Sequence, residues 1–358
     1  MKRLRPLHLL QHGLKAWSCQ SLLVLACSVL GLSAAHAQAT LQAAPMQTTP
    51  TGQALDLSGY TDATGAITVQ HRGDTVDPYF ALQALGVAQS QGLDISAYAL
   101  PWARWLSQRY QEAGHLGRYC QSPQQPGRAH QASSRTTWRW CKAPDADDSS
   151  LALWLQFLHR LAPHERAQMP IAALQARAAQ DLRGLHEPAT GLYHVSPHIR
   201  YSLFMDNLEV WSAWPSPSLA RAIHVAFWDP THRIFRVSTQ KAHPHPGHHF
   251  YPDATAQIYP LLVDFPGLPG GAGAHYVQWM REHRATWLAQ SGREFPWGLI
   301  ALVAWRQGDL LSVRCWQQRA LPHRHSALWT VTDEVIAQIL PPWHPPNHTP
   351  PTSEENCA

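Results

Sequence analysis

The chain has 358 residues, with 28 Lys and Arg against 24 Asp and Glu, which gives a formal net charge of +4. Lys2, Arg3, Arg5 and Lys15 alone account for this excess, so the rest of the chain is neutral. We therefore expect no basic surface for nucleic acid or anionic lipid. The length fits one large domain or two small ones, and no internal linker divides it.

Residues 1–37 have the organisation of a cleavable signal peptide. A basic start without acids leads into an apolar run at residues 22–32, and small residues around a site ending at Ala37 fit the cleavage pattern. The run is shorter than the roughly 20 residues that span a bilayer. We expect a periplasmic or secreted protein without stable membrane insertion. A retained membrane anchor and lipidation at Cys27 are the alternatives.

Composition also sets the expected domain limits. Residues 38–55 are rich in Ala, Gln, Thr and Pro and are expected to be flexible. Residues 341–358 contain six Pro and no apolar periodicity, which is typical of a disordered tail. The folded domain is then predicted at residues 56–340.

Four cysteines lie beyond the signal peptide, and an exported chain can oxidise them. Cys120 and Cys141 flank a polar loop and are predicted to form a disulfide, with two reduced buried thiols as the alternative. Cys357 lies in the tail and is expected to be unpaired. No C-x-x-C pair of a zinc site occurs.

The central part of the sequence predicts helices in pairs. Most of the more apolar helices begin at an Asp, a favoured N-cap residue, and most are followed by a more amphipathic helix. The apolar helices are predicted to begin at Asp77-Pro78, Asp148, Asp206, Asp253 and Pro296-Trp297-Gly298. The helices after them are predicted at residues 95–112, 170–185, 273–290 and 310–320, and a last helix at 333–340.

Residues 221–238 have a different pattern, in which apolar and polar residues alternate around Trp228-Asp229-Pro230-Thr231. Alternation with period two is typical of strands. We therefore predict a small β-hairpin inserted between the third and fourth apolar helices.

A pattern of buried helices surrounded by amphipathic ones predicts a mainly α fold, an (α/α)6-type toroid of helical hairpins. Five hairpin starts are recognisable in the sequence. An irregular helical bundle and a helical-repeat solenoid are the alternatives.

In a toroid the starts of the inner helices meet at one mouth, so the acids that begin these helices would gather there. The candidates are Asp77, Asp147, Asp148, Asp206, Glu209 and Asp253. Each of them has a simpler explanation as an N-cap or first-turn residue. The acids at 145–148 and the pair Asp206 and Glu209 exceed what capping requires.

Two carboxyl groups in one cleft are what glycoside hydrolysis needs: a proton donor, and a base or nucleophile. We expect Glu209 to donate the proton from an apolar setting that raises its pKa. Asp148 or Asp253 is expected to be the ionised partner, and Asp206 lies one turn before Glu209 on the same face.

Aromatic residues support a sugar ligand, because sugar rings stack on aromatic planes. The chain has 16 Trp, all but one beyond the signal peptide. Trp211, Trp214, Tyr251, Tyr259 and Trp297 lie near predicted inner helix starts, although core packing explains most of the Trp residues. The His-rich stretch at 243–249 is interpreted as a loop, so no metal and no cofactor are expected.

Five motifs carry a resemblance to the six-hairpin glycosidase superfamily, and in particular to its poorly characterised bacterial members. They are TVDPYF at 75–80, DADDSS at 145–150, MDNLE at 205–209, YPDATAQ at 251–257 and PWG at 296–298. The triplet Asp145-Ala146-Asp147 also resembles, distantly, a signature of the family 8 endoglucanases, in which the acid contacts the sugar at the cleavage point.

This resemblance implies a toroid fold and a poly- or oligosaccharide ligand. The residues that it places at the sugar are Asp77, Tyr79, Asp147, Asn207, Trp211, Tyr251, Gln257 and Trp297. An exported glycoside hydrolase is the function we expect. A non-catalytic sugar-binding or polysaccharide-export accessory protein is the alternative, and a uronate lyase that uses Arg200 or Lys241 comes after it.

Overall fold

The computed structural model describes residues 52–121, 137–240, 249–290, 292–293, 295–342 and 357, and the signal peptide region lies outside them. This part of the chain is mainly helical, as expected. Its helices are α1 (Pro78–Ser90), α2 (Ser96–Ala113), α3 (Asp147–Arg160), α4 (Pro163–Arg166), α5 (Ile171–Arg183), α6 (Phe204–Ala213), α7 (Pro217–Phe227), α8 (Thr255–Leu262), α9 (Ala272–Gln290), α10 (Gly298–Arg306), α11 (Leu310–Ala320) and α12 (Val331–Ile339). None of these helices is long and apolar enough to cross a membrane.

Short antiparallel strands precede several of the apolar helices. β1 (Thr75–Val76), β2 (Arg118–Gln121) and β3 (Trp138–Lys142) form a sheet in that order. β4 (His186–Glu187) pairs with β5 (Leu192–Tyr193), and β6 (Trp228–Asp229) pairs with β7 (Ile234–Phe235). The chain therefore enters α1 and α3 shortly after a strand.

The predicted hairpin at residues 221–238 is only partly right. Its turn is present, with Trp228 opposite Phe235 in the β6–β7 pair. The first half of the segment belongs to helix α7 instead. The buried stripe of α7 is Leu219, Ile223 and Phe227, which repeats every four residues, while Val225 is 73% exposed. The alternating residues Ile223, Val225 and Phe227 therefore do not share one face: Ile223 and Phe227 lie on the buried stripe of the helix, and Val225 faces solvent.

Six helices contact one another in a closed cycle. Each of α1, α3, α6, α8 and α10 contacts the next one in this series, α10 contacts α12, and α12 contacts α1. A second group packs outside them: α5 contacts α3, α7 contacts α6, α9 contacts α8, and α11 contacts α10. We call the first group the inner helices.

Burial explains why the inner helices are the apolar ones. In α10, the six consecutive residues 300–305 are all buried. Helix α5 instead buries only one stripe, Ile171, Leu174, Ala178 and Leu182. An amphipathic helix needs one partner, while a helix that is apolar all round needs neighbours on every side. Large aromatic side chains fill much of the core, among them Trp102, Trp154, Trp287, Trp316 and Trp329.

Two disulfides cross-link described parts of the chain. Cys120 and Cys141 join β2 to β3, which confirms the predicted bond. Cys315 in α11 is bonded to Cys357, so the expectation that Cys357 is unpaired was wrong. The tail between Pro342 and this bond lies outside the described residues.

The segment expected to be flexible at the amino-terminal side is held at its last residues. Ala54 forms a parallel bridge with Asp94, and Leu55 is buried in the core. Residues 38–51 lie outside the part of the chain that the structure describes.

Candidate active site

The adjacent inner helices α3 and α6 both begin with acidic residues. Asp147 and Asp148 form the first turn of α3, and Asp206 and Glu209 lie in the first two turns of α6. The two helices pack against each other along their length. Asp148 is 0% exposed and Glu209 is 3% exposed, while Asp206 is half-buried. We call Asp148, Asp206 and Glu209 the carboxyl cluster.

Each member of the carboxyl cluster has an oxygen without a partner. Oδ2 of Asp148, Oδ2 of Asp206 and Oε2 of Glu209 are buried and accept no hydrogen bond from any described residue. Leaving one buried polar atom unsatisfied costs about 1–3 kcal/mol. Three such atoms on neighbouring acids are more than packing alone accounts for, so they mark a candidate site.

Burial raises the pKa of every acid in this cluster. The pKa of Glu209 rises to about 8, because its carboxyl is buried and lies near Asp206. Burial raises the pKa of Asp206 to about 7. Burial and the nearby carboxyl of Asp206 also hold the pKa of Asp148 well above its usual range. The expectation that a helix start would keep Asp148 ionised is therefore not met, since desolvation outweighs the helix dipole.

A directional network holds the other oxygen of Glu209. The hydroxyls of Tyr79, at 2.7 Å, and Tyr259 both donate to Glu209 Oε1. Gln83 Nε2 donates to both tyrosine oxygens, at 3.0 and 3.2 Å. Thr332 Oγ1 in turn donates to Gln83 Oε1 at 3.3 Å, which fixes the orientation of the amide. Because Oε1 already accepts two hydrogen bonds, the proton of Glu209 is placed on Oε2.

An aromatic platform lies near these acids. Tyr251 and Trp297 stack with ring centroids 5.0 Å apart and planes inclined by 20°, and Phe250 and Phe295 border Trp297. Tyr251 is 54% exposed, yet burial and the carboxyls of Asp206 and Glu209 raise its pKa. A ring on the wall of a cleft fits both observations, because its face meets solvent while protein surrounds its hydroxyl.

The backbone of Trp297 is held in an unusual conformation. Its φ of 51° lies in the left-handed region, which non-glycine residues adopt at a cost. The next peptide N–H, that of Gly298, donates to Asp333 Oδ1 at 2.8 Å, which anchors this turn to the start of α12. The indole nitrogen of Trp297 is buried without a partner among the described residues. Strain maintained at an aromatic next to the carboxyl cluster is consistent with a functional role.

Two of the predicted sugar-binding residues have a structural task instead. Asn207 accepts a hydrogen bond from Tyr193 N at 2.8 Å and donates to Tyr193 O at 3.0 Å. Gln257 forms the same pair of bonds with Phe235, both at 2.8 Å. Each amide thus fixes a strand to the start of the inner helix that follows it. These side chains have no hydrogen-bonding group left for a ligand.

The side chains of Asp77 and Trp211 have partners within the protein as well. Asp77 is the N-cap of α1, accepting from Tyr79 N at 3.1 Å, and forms an ion pair with Arg118 at 2.5 Å. Trp211 packs edge-on against Phe265.

Two further acids lie near the cluster without sharing its features. Asp253 is half-buried, and its Oδ2 accepts from His249 N at 3.2 Å. Asp147, beside Asp148, is half-buried, and burial raises its pKa. The structure therefore groups Glu209, Asp206 and Asp148 with Tyr79, Tyr251 and Trp297.

Gln83 and Thr332 are the site residues that the sequence did not reveal. A signal for Gln83 existed, since it is the polar residue in the middle of the apolar run FALQALGVA. A buried amide in an inner helix requires partners, and here they are the two tyrosines that hold Glu209.

Within the described residues, no group of three or more His, Cys, Asp or Glu is arranged to hold a metal ion. Most of the His-rich stretch, residues 243–248, lies outside the description. The chain matches no protein-family model, no curated protein and no solved structure.

Proposed function

We propose that this chain is an exported glycoside hydrolase that cleaves a poly- or oligosaccharide by acid/base catalysis on an α/α toroid. The closed cycle of the six inner helices supports the toroid, with α12 as the sixth inner helix. The two disulfides support an oxidising compartment, in keeping with the proposed signal peptide. The reaction requires no cofactor.

The carboxyl cluster is the observation that carries this proposal. Glycoside hydrolysis needs a carboxylic acid that is still protonated at the working pH and a second carboxyl that is ionised. Glu209, with a pKa of about 8, retains its proton at neutral pH and is held with Oε2 free to donate it. Asp206 is the better base, because it is half-buried and its pKa of about 7 lets it ionise near neutral pH.

The proposed reaction follows from these roles. Glu209 gives its proton from Oε2 to the glycosidic oxygen, and the bond between that oxygen and the anomeric carbon breaks. Asp206 takes a proton from water as the water oxygen bonds to the anomeric carbon. Burial and the carboxyl of Asp206 favour the neutral form of Asp148, so Asp148 adds little negative charge beside the base.

The aromatic platform supports a sugar as the substrate. Tyr251 and Trp297 present a stacked face, of which Tyr251 is more than half exposed, near Asp206 and Glu209. Sugar rings have flat C–H faces that pack on such planes, so the platform would hold the unit next to the cleaved bond.

The test is a screen of the purified protein against bacterial exopolysaccharides and β-glucans for new reducing ends. Glu209→Gln and Asp206→Asn are the active-site variants, and Glu282→Gln, which changes an exposed acid on α9, is the matched control. Cleavage by the wild type and the control that both active-site variants lose while remaining folded supports the proposal. Cleavage that survives in Glu209→Gln contradicts the assignment of the acid.

A non-catalytic sugar-binding protein on the same fold is the second candidate. The platform favours it, because stacking does not depend on the carboxyl groups. It predicts sugar binding without new reducing ends, and equal affinity in the wild type and in Glu209→Gln. For the lyase alternative, Arg200 lies exposed beside Tyr201 and Thr239, and Lys241 falls outside the described residues.

A further inference from the structure

A cavity of about 610 Å³ lies at the carboxyl-terminal side of the inner helices. Five of the six inner helices line it, each with residues from its middle or its last turns. Representative lining residues are Val87 in α1, Gln156 in α3, Ser212 in α6, Leu262 in α8 and Trp305 in α10. Asp148 and Asp206 lie in the first turns of α3 and α6, so the cavity approaches the centre of the helix cycle from the opposite end. Its volume is that of a small-molecule site.

Glu209 contributes to the lining of this cavity, together with Tyr259 and Gln83. Its side chain is only 3% exposed, so a buried acid forms part of the cavity wall.

Gly86 gives independent evidence that the space is kept open. It lies in the interior of α1 and lines the cavity. Glycine weakens a helix interior relative to alanine, so its presence there normally reflects close packing. No close packing exists here, because a Cβ on Gly86 would meet only Gln156 Oε1, at 3.8 Å. The space that a side chain would fill is the cavity itself.

The walls of the cavity favour a neutral ligand rich in hydroxyl groups. Gln156 Oε1 offers an acceptor and the Ser212 hydroxyl a donor, while Leu153 and Leu302 add apolar surface. The carboxyl ends of five helices give this end a negative potential. Arg306 offsets part of it by donating to the carbonyls of Leu261 and Leu262, at 3.4 and 2.9 Å, and by pairing with Asp264. Arg160, which also lines the cavity, supplies a second cation.

We propose that this cavity is a binding pocket for a neutral, hydroxyl-rich small molecule of monosaccharide or disaccharide size. We name it the axial pocket. The inference goes beyond the proposed hydrolysis, since binding in the axial pocket breaks no bond and occurs near the carboxyl-terminal ends of the inner helices, whereas Tyr251 and Trp297 lie just before the starts of α8 and α10.

The test is ligand-observed NMR on the purified protein with D-glucose, N-acetylglucosamine, maltose and myo-inositol as neutral probes. Glucuronate and glucosamine serve as charged probes of the same size. The blocking variant is Gly86→Leu, which fills the pocket while favouring the helix. Its control is Gly273→Leu, at an open position on α9 where a Cβ meets no atom within 4 Å. Leu153→Trp blocks the pocket from α3 and replaces Gly86→Leu if that variant does not fold.

We expect at least one neutral probe to bind the wild type and Gly273→Leu equally, with affinity reduced about tenfold or more in Gly86→Leu and in Leu153→Trp. Tyr251→Ala should bind that probe as the wild type does. Failure of every neutral probe to bind, or affinity unchanged by the blocking variants, overturns the proposal. So does a probe whose binding is lost in Tyr251→Ala alone, because that ligand occupies the platform. None of these outcomes depends on whether the protein releases reducing ends, so the proposed hydrolase is tested separately.

Discussion

Buried or half-buried acids lie near the starts of both α1 and α6, but their hydrogen-bond and ion-pair partners differ. At α1, one oxygen of Asp77 caps the helix and the other is paired with Arg118, whose guanidinium opposes the rise in pKa that burial causes. At α6, Asp206 and Glu209 have no cation as a partner among the described residues, and one oxygen of each accepts no hydrogen bond. An acid that is paired at a helix start stabilises the fold, whereas a buried acid without a cation has a raised pKa and is suited to donate a proton.

The largest expected effect separates these two regions by activity. If the proposed hydrolysis is correct, Glu209→Gln should lower kcat by roughly 10²–10⁴-fold, the usual contribution of a general acid. Asp77→Asn should retain most of the kcat of the folded protein, because both oxygens of Asp77 are already engaged, one by the start of α1 and one by Arg118. Initial rates at saturating substrate measure both. An equal loss of kcat in Glu209→Gln and Asp77→Asn would contradict the assignment of different roles to the two acids.

The comparison reverses when stability is measured. Asp77→Asn should lower the free energy of unfolding by about 1–3 kcal/mol, since it weakens a cap and leaves Arg118 without its nearest buried partner. Asp148→Asn should not lower it, because an amide oxygen can still accept from Ser149 N and the substitution removes a carboxyl whose ionised form burial disfavours. Urea unfolding at pH 7 gives both values. A loss in Asp148→Asn as large as that in Asp77→Asn would show that Asp148 is ionised and paired.

The unpaired acids also predict how stability depends on pH. In the unfolded chain Asp206 and Glu209 lose their protons near about pH 4, but in the folded protein they keep them up to about 7 and about 8. Between these values the folded state binds more protons, so the free energy of unfolding decreases as pH rises, by up to about 1.4 kcal/mol per pH unit for each group.

Glu209→Gln should make the stability profile flatter between pH 5 and 8 by up to that slope, because glutamine does not titrate. Glu112→Gln, at an exposed position on α2, is the control and should leave the profile unchanged. Thermal unfolding across this pH range measures the difference. A profile as steep in Glu209→Gln as in the wild type would place the pKa of Glu209 near its ordinary value.

The smallest expected effect concerns the platform. Tyr251→Ala should raise KM about three- to tenfold with little change in kcat, since an aromatic stacking contact contributes about 0.5–1.5 kcal/mol. Trp140→Ala is a matched control, because Trp140 is as exposed as Tyr251, at 54%, and lies on β3. A change in kcat alone would mean that Tyr251 acts on the reaction and not on binding.

The helix starts could be predicted from the sequence because local chemistry decides them. Asp77 followed by Pro78 is both an N-cap and a first-turn signal, and α1 begins there. The same kind of signal was present for α7, where Ser216 precedes Pro217 and its side chain accepts from Leu219 N. It was missed because the alternation after residue 221 favoured a strand.

The roles within the site could not be predicted in the same way. Glu209 as a buried acid follows from its apolar surroundings in the sequence, but the pairing of Tyr79 with Tyr259 depends on residues 180 positions apart. Asn207 and Gln257 have the residue types of a ligand site, and only the positions of Tyr193 and Phe235 show that their amides are used. The bond of Cys315 to Cys357 likewise depends on where the chain returns.

The contact between the first and the last inner helix has a consequence for the order of folding events. Thr332 in α12 holds Gln83 in α1 across 249 positions, and Gln83 holds the tyrosines that bind Glu209. Contacts of such long sequence separation form late, because the loop they close is large. A partly folded chain with every other helix in place would therefore still lack the arrangement that fixes the proton of Glu209. Because α12 buries Val331, Val335 and Ile336 in the core, opening of this helix would disrupt the Gln83 network and the core together.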